Sequence, residues 1–495
     1  MQIESLYIKD YKLFHEFSID FRKDVSILIG INGSGKSTIL ESIAQIFSDT
    51  FRKEKSKIGF KLNYNLRLEE ILSHTATTSE FKTEYISVEL SAAKKGENVD
   101  FKIFVDDIII EREEDIERRF GSIEKVLPSN IVIYYSGFSD IMKQICLPHN
   151  ETLSRNYRKG ILNVHRPFFN YEPDIFGLML ITLLSYEFGD IPIFLKERAK
   201  IHGVQSITIR LKKPSWGKGP IDKWWGASGE VKTLLDRLDN MGSSLIIEEN
   251  QKTGSKGNVV IEGWQNEVLI ITILGQNKLF EIRDFFGEER ALFKVLNTLL
   301  IDGFSPVVEF NFVQEVNNKR FNVLSEGEQQ AIIIRGLVEL TNNENTLFLF
   351  DEPDTYLHPS WQRGFIESID QLVQRNTDKT SQFLITSHSP QLLSNADPTY
   401  IDVQILEDGE IIKITPKYYG RDISTILYEM MGVERRNQKV AKALSILFNY
   451  IEDENLIKAQ SEYKALSLLL GEDDPAIIRA RTQLSYLEED NEENK

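Results

Sequence analysis

The sequence predicts an α/β fold built on a sheet of buried strands, and three apolar runs predict it. Val25–Ile29 leads into the glycine-rich segment GINGSGK at 30–36, and apolar residues at helical spacing follow: Ile39, Leu40, Ile43, Ile46 and Phe47. Thr346–Phe350 leads into Asp351, Glu352 and Pro353, and Phe383–Thr386 leads into Ser387 and His388. Strands apolar on both faces are covered by helices on both sides. Each run ends in polar groups, which is where an open α/β sheet presents them to a ligand.

Composition agrees. The 495 residues correspond to about two to four domains at roughly 100–200 residues each. Hydrophobic residues at 41% and charged residues at 27%, with 29 Gly and 14 Pro, exclude collagen, coiled-coil and wholly disordered classes. The N-terminal MQIESLYIKDYKLF alternates like a strand and lacks a secretory pattern, and no apolar run reaches the roughly 20 residues of a membrane helix, so no membrane association and a cytoplasmic location are expected. The single cysteine, Cys146, rules out an internal disulfide and reads as a small hydrophobe. The net charge of −17 is segregated: Lys196–Lys223 is basic and the end of the chain acidic.

Along the chain, Gly30, Gly33 and Gly35 permit a loop whose N–H groups converge on an anion, with Asn32, Ser34 and Thr38 in the same turn and a helix N-terminus behind it. Lys36 reaches the β- and γ-phosphates in such a loop, and the Ser37 hydroxyl ligates Mg²⁺. From Arg52 to Asn130 the alternation of Ile86, Val88 and Leu90, then of Phe101 and Ile103, predicts antiparallel strands. The segment LSEGEQQ at 324–330 precedes a helix of period 3.6, so Ser325, Gly327 and Glu328 lie at a helix start, suited to an anion bound on a partner subunit. Asp351 is placed for the Mg²⁺ shell and Glu352 to polarise a water. His388, at the end of the next strand, is placed to contact the γ-phosphate.

GINGSGKST, LSEGEQ, LFLFDEP, DTYLHP and ITSHSP, in that order, resemble the ABC-type ATPases of the RecF, SMC and OLD group, over residues 1–50 and about 310–415. The resemblance implies an ABC-type P-loop ATPase head, a mixed sheet with flanking helices, with an inserted α+β lid region and a C-terminal helical extension. It implies ATP and Mg²⁺ as ligands and a homodimer with each ATP between the glycine loop of one head and the signature loop of the other. Asp354–His358 resembles the loop that crosses the seam. Glu326 stands where transporters have a second Gly, a change usual in this group. The expected organisation is residues 1–141, an N-terminal lobe with the glycine loop; 142–309, the insertion; 310–415, a C-terminal lobe; and 416–495, a helical oligomerisation or partner-binding tail. Gln144 is the candidate for the remaining glutamine loop of the family.

Within the insertion, Trp216, Trp224 and Trp225 lie beside Lys212, Lys213, Lys218 and Lys223. Two readings stand: a nucleic-acid surface, cations on phosphates and indoles on bases, or tryptophans filling a small core. No heptad run long enough for a coiled-coil arm is present. Gly432 and Gly471 mark helix ends in the tail, and Asp474-Pro475 a helix start.

The ending, with GRDISTILYEMMGVERR and LGEDDPAIIRARTQL, resembles the stand-alone ATPases of prokaryotic anti-phage defence, above all the PtuA type of Septu systems and some retrons. That implies a higher oligomer, a separate HNH nuclease partner, and no nuclease site in this chain. The alternatives are a RecF-like DNA repair ATPase and a PARIS-like ATPase caging a Toprim effector.

Overall fold

The computed structural model describes residues 1–68, 83–137, 139–161, 165–241, 243–249, 266–313, 324–359, 361–362, 364–366, 369, 381–412, 417–431 and 436–493. They fall into two compact units, Met1–Gly420 and Arg421–Lys495.

The centre of the first unit is a sheet of seven strands in the order β17 (Glu410–Ile411), β16 (Ile401–Glu407), β3 (Val25–Ile29), β15 (Gln382–Thr386), β14 (Thr346–Asp351), β8 (Asn130–Tyr135) and β9 (Phe168–Asn170). Every neighbouring pair is parallel except β16 with β17. All residues of β3, β14 and β15 are buried, which is why these strands read as unbroken apolar runs. A second, antiparallel sheet has the order β2 (Phe14–Asp20), β1 (Gln2–Tyr11), β4 (Gly59–Arg67), β5 (Tyr85–Ala92), β6 (Asp100–Val105) and β7 (Ile108–Ile110). Here burial alternates, as in β5, and the sequence alternates with it.

The helix Lys36–Phe51 lies between the two sheets, with thirteen of its sixteen residues buried. One core joins Ile3, Leu6 and Leu62 of the antiparallel sheet to Ile43 and Phe47 of this helix and to Leu347, Leu349 and Leu384 of the parallel sheet. The helix that follows the glycine loop is therefore packed on both faces, and the loop is anchored by a core that joins the two sheets.

The insertion builds a four-stranded antiparallel sheet in the order β11 (Ser243–Glu249), β12 (Asn266–Leu274), β10 (Val204–Lys212) and β13 (Val307–Phe312). Two details differ from the expected division. β9, inside the segment 142–309, pairs with β8 and belongs to the central sheet. The division at 309/310 falls within β13, which pairs with β10. No sequence signal marks either point, because a three-residue edge strand and a strand spanning a boundary leave no period to read.

Of the two readings of the tryptophans in the basic stretch, the structure supports the core. Trp225 is fully buried and Trp224 6% exposed, and both have left-handed backbones. Trp225 packs on Phe304, and the Trp224 indole donates to the Asp236 carboxylate. Trp216 donates to the Asp302 carbonyl (2.6 Å) with the Arg158 guanidinium over its ring. Trp224 and Trp225 found cover in the core, and half-buried Trp216 has Phe304 against it and Arg158 over its ring, so none is left as an open platform for bases. Lys212, Lys213 and Lys218 lie at the surface beside them.

The second unit consists of helices. Ile423–Met431 comes first, and Gln438–Glu452, Leu456–Leu470 and Pro475–Glu493 share a core of Leu444, Leu447, Ile451, Ala459, Leu466, Ile477, Ala480 and Leu484. Asn437 and Asn455 cap two of them through their side chains, and Gly471 ends one at φ +90°. Arg436 forms a two-pronged pair with Asp474 (2.8 Å each), which also caps the last helix through the Ala476 N–H. Gly432 lies outside the described residues. No helix among the described residues is long and apolar enough to cross a membrane.

Candidate functional site

The glycine loop starts where β3 ends. At Gly30 a Cβ would stand 2.0 Å from the Leu406 carbonyl oxygen of β16, and at Gly35, the N-cap of the helix Lys36–Phe51 with φ +108°, it would stand 2.6 Å from Phe14. Only glycine fits either place. The strand, the tight turn and the helix start therefore follow from local sequence and close packing together. Gly33 also has a positive φ, with open space around it; Asn32 is exposed and Ser34 buried in the same turn, and Thr38 lies in the first helical turn.

Lys36 is 5% exposed and donates to the carbonyls of Gly30 (3.0 Å) and Ile31 (3.1 Å). Burial lowers its pKa from the ordinary lysine value, while Glu352 and Asp351 act against that shift. An ammonium held inside its own loop has one donor left, and a phosphate there would supply the missing anion. Ser37 donates to the Asp351 carboxylate at 2.7 Å, and Thr386 at the end of β15 donates to the same oxygen at 2.7 Å. Burial raises the Asp351 pKa, and the two hydroxyls oppose the rise. A buried carboxylate flanked by hydroxyls at the ends of adjacent strands is a donor set of hard oxygens, the kind Mg²⁺ takes.

Glu352 follows with a left-handed backbone, φ +49°, stabilised by its N–H donating to both the carbonyl and the hydroxyl of Thr386. Its carboxylate lies 3.1 Å from His388 Nε2 and accepts from Thr355 at 3.4 Å. The His388 hydrogen bond is the main reason its pKa falls below the ordinary glutamate value, against the effect of burial. Glu352 and His388, 36 residues apart in the chain, are thus a directly bonded pair on the same edge of the sheet as Lys36, Ser37 and Asp351.

The signature segment is placed differently. Ser325 and Glu328 form a capping box at the start of the helix Glu326–Thr341: the Glu328 carboxylate accepts from the Ser325 N–H and hydroxyl (2.8 Å each), and the Glu328 N–H donates back to the Ser325 oxygen. A Cβ at Gly327 would stand 3.5 Å from the Tyr356 carbonyl oxygen, an ordinary contact. These residues start a helix and leave one edge of it outward.

Two contributors, Thr386 and Gln330, carried no role in the sequence, and Asp354, read there only as the start of the seam loop, has a further one. Thr386 ties Asp351 and Glu352 together. Gln330 donates to the Pro353 carbonyl (2.7 Å) and accepts from Tyr134 (2.9 Å), linking the signature helix to the turn after β14. Asp354 is 4% exposed, accepts from Ser387 at 2.9 Å, and is pushed up to about 6 by burial. A polar residue closing an apolar strand was the available signal for Thr386; Gln330 and Asp354 look like ordinary helix and turn residues. Gln144 is exposed in the first turn of Ile141–Arg158. Lys12 bonds to Glu41 (2.5 Å). Cys146 is buried in the core, where its thiol is pushed up to about 12.

This set can bind an anion of the size of a polyphosphate at the loop, hold a divalent cation between Ser37 and Asp351, and offer one ionised carboxylate as a proton acceptor. Comparison with known proteins places the chain near two curated relatives along most of its length. It is 22% identical to the Retron Vc95 probable ATPase of Vibrio cholerae serotype O1 biovar El Tor, over 93% of this chain and 84% of that protein. It is 22% identical to the Retron Ec83 probable ATPase of Escherichia coli, over 98% and 86%. The Septu protein PtuA of Bacillus thuringiensis is 27% identical over 31% of this chain and 43% of its own. Residues 2–411 match the RecF/RecN/SMC N terminal domain, and the chain belongs to that family.

Proposed function

We propose that this chain is an ATPase that dimerises around ATP and regulates a separate nuclease, of the HNH type, in anti-phage defence. The observation that carries the ATPase part is the convergence of Lys36, Ser37, Asp351, Glu352 and His388 at one edge of the central sheet, with Glu352 ionised and bonded to His388.

In this reading the loop N–H groups and Lys36 bind the β- and γ-phosphates. When bound, Mg²⁺ neutralises charge between those phosphates, and Ser37 Oγ and the Asp351 carboxylate are the groups that would hold it. His388 exchanges its bond with Glu352 for one to the γ-phosphate. That frees the Glu352 carboxylate to orient the attacking water and take its proton. Ser325 and the N–H groups behind it meet the γ-phosphate bound on a second copy, with Gly327 giving the close approach and Glu328 fixing the helix start. The cavity around Lys36 thus takes its cover from a partner head.

The nuclease partnership is supported by the likeness to two retron ATPases along nearly the whole chain and to PtuA over part of it. The second unit, Arg421–Lys495, with Ile457, Leu468 and Leu469 exposed at 83%, 87% and 69%, is the surface we assign to assembly beyond the dimer. With Trp224 and Trp225 buried and Trp216 covered by Arg158, any nucleic-acid contact of the insertion falls to Lys212, Lys213 and Lys218 on phosphates.

Co-expression with the products of neighbouring genes, followed by mass spectrometry of what co-purifies with and without ATP, tests the partnership. A nuclease in the complex is the expected result. A chain that emerges alone, as an ATP-dependent dimer retarding DNA, supports a RecF-like repair role instead.

A further inference from the structure

A further cavity, of about 540 Å³, lies at the opposite edge of the central sheet. Asn130 opens β8, and its partner Thr346 opens β14, whereas Asp351 of the site above closes β14. At about 3.3 Å per residue the five steps of β14 put the two edges about 16 Å apart. The helix Glu326–Thr341, which begins at the signature segment, ends at this cavity.

Its wall is cationic. Arg166, Arg290 and Lys294 line it, and Glu288 at its exposed rim is its one carboxylate. Arg166 bonds only through Nε to the Phe168 carbonyl (3.0 Å) and lies over the Phe169 ring, and no carboxylate among the described residues forms an ion pair with it. Burial lowers its pKa to about 10. Glu172, which acts on it through space, is bonded to Lys143 at 2.8 Å. Arg290 uses Nε on the Glu339 carbonyl. Both guanidiniums are half-buried, and with Nε engaged on a carbonyl each keeps its terminal N–H groups available to an anion that the cavity would hold.

Two further groups point to the rest of that ligand. Asn130 and Asn297 are 7% and 2% exposed, both line the cavity, and the amide oxygen of each has no donor. The Asn130 amide nitrogen is already committed to the Thr341 carbonyl (3.1 Å). Buried amide oxygens without donors are uncommon, and a ligand N–H or O–H satisfies them. Inorganic phosphate would answer the cations alone and leave both oxygens and most of the volume unused.

We propose that this cavity binds a phosphate ester bearing hydrogen-bond donors, of the nucleoside monophosphate class, with Arg166, Arg290 and Lys294 on the phosphate and the Asn130 and Asn297 oxygens on the donors. The site is separate from the glycine loop and does not depend on the ATPase reading.

Calorimetric titration of the full chain carrying Lys36→Ala, with the four ribonucleoside monophosphates, a hexose phosphate and inorganic phosphate as probes, tests it. At least one monophosphate binds in the micromolar range. Arg166→Gln weakens it more than tenfold, Asn297→Leu weakens it while sparing inorganic phosphate, and Lys294→Glu, an exposed change that leaves the fold intact, weakens it at least threefold. Absence of binding at 5 mM, binding untouched by Lys294→Glu, or inorganic phosphate binding as tightly as the best ester each overturns the proposal, and a tighter hexose phosphate overturns the nucleoside class. If Arg166→Gln fails to fold, the Lys294→Glu titration decides. Loss of ATP hydrolysis with Lys36→Ala leaves this result unaffected, so the two readings fail independently.

Discussion

Replacing Glu352 with glutamine removes one negative charge and almost nothing else. Glutamine has the same length, its amide oxygen still accepts from His388, and the bonds that the backbone N–H donates to Thr386, which fix the left-handed turn, do not involve the side chain. The Glu352 and His388 side chains are 32% and 34% exposed, so the lost ionic part of the pair is about 1 kcal/mol or less. For a chain of this size that moves the melting midpoint by less than about 2 °C, which leaves the melt unchanged in practice. The catalytic effect is of another order. Loss of a positioned proton acceptor lowers the chemical step about 10²–10⁴-fold, which is about 3–5 kcal/mol of barrier. Release of labelled γ-phosphate at saturating ATP and Mg²⁺ measures the rate, and displacement of a fluorescent nucleotide measures affinity on the same preparation. The expected pattern is a collapsed rate, unchanged affinity, an unchanged melt, and accumulation of an ATP-bound dimer by light scattering. Hydrolysis at the wild-type rate refutes the assignment of Glu352. A parallel fall of rate and affinity refutes it too, since the residue would then be supporting the loop rather than the reaction.

Other perturbations follow from the same geometry. Gly35→Ala forces a side chain into a left-handed N-cap 2.6 Å from Phe14, at a cost of about 2–5 kcal/mol from backbone and overpacking together; a fall in the melting midpoint together with weakened nucleotide binding is expected. Trp225→Ala empties a fully buried site against Phe304 and costs about 3–5 kcal/mol, with nucleotide affinity within twofold of wild type; nucleic-acid binding lost without loss of stability would instead restore the stacking role. His149, stacked on Phe168 and bonded to Ser48 (2.9 Å), has its pKa lowered to about 4 by burial. Below pH 6.5 the unfolded chain takes up a proton that the folded one refuses, so stability is present above pH 6.5 and falls as pH falls toward 4. Denaturation at pH 7 and pH 5 therefore differs by about 2 kcal/mol more in the wild type than in His149→Gln; equal pH dependence in the two proteins contradicts the burial argument.

The ATP-site candidates were legible because each is written in contiguous residues. A glycine loop needs its glycines in fixed register with Lys36 and Ser37, and buried strands must be apolar throughout, so Val25–Ile29, Thr346–Phe350 and Phe383–Thr386 stand out with their polar ends attached. The antiparallel sheet is legible for a related reason: burial of one face imposes a period of two on β5. The tail was legible as helices because capping asparagines, Gly471 and Asp474 act within a few residues of themselves.

What the sequence left open is everything carried by contacts between distant segments. Trp224 and Trp225 next to lysines fit both a base-stacking surface and a core, and only the presence of Phe304 and Asp236 beside them decides for the core. The bond between Glu352 and His388, and the hold of Thr386 on Asp351, depend on β14 and β15 being neighbours in register. β9 joins the central sheet with three residues, too few to show a period, and the cavity of Arg166, Arg290 and Lys294 gathers side chains from four separate stretches of chain, 129–130, 157–169, 288–301 and 340–343. Local sequence determines which backbone conformations and which buried faces form, because those energies act within a few residues. Only tertiary packing decides which charged and polar groups leave water together, because their energies depend on partners that the chain brings close from hundreds of residues away.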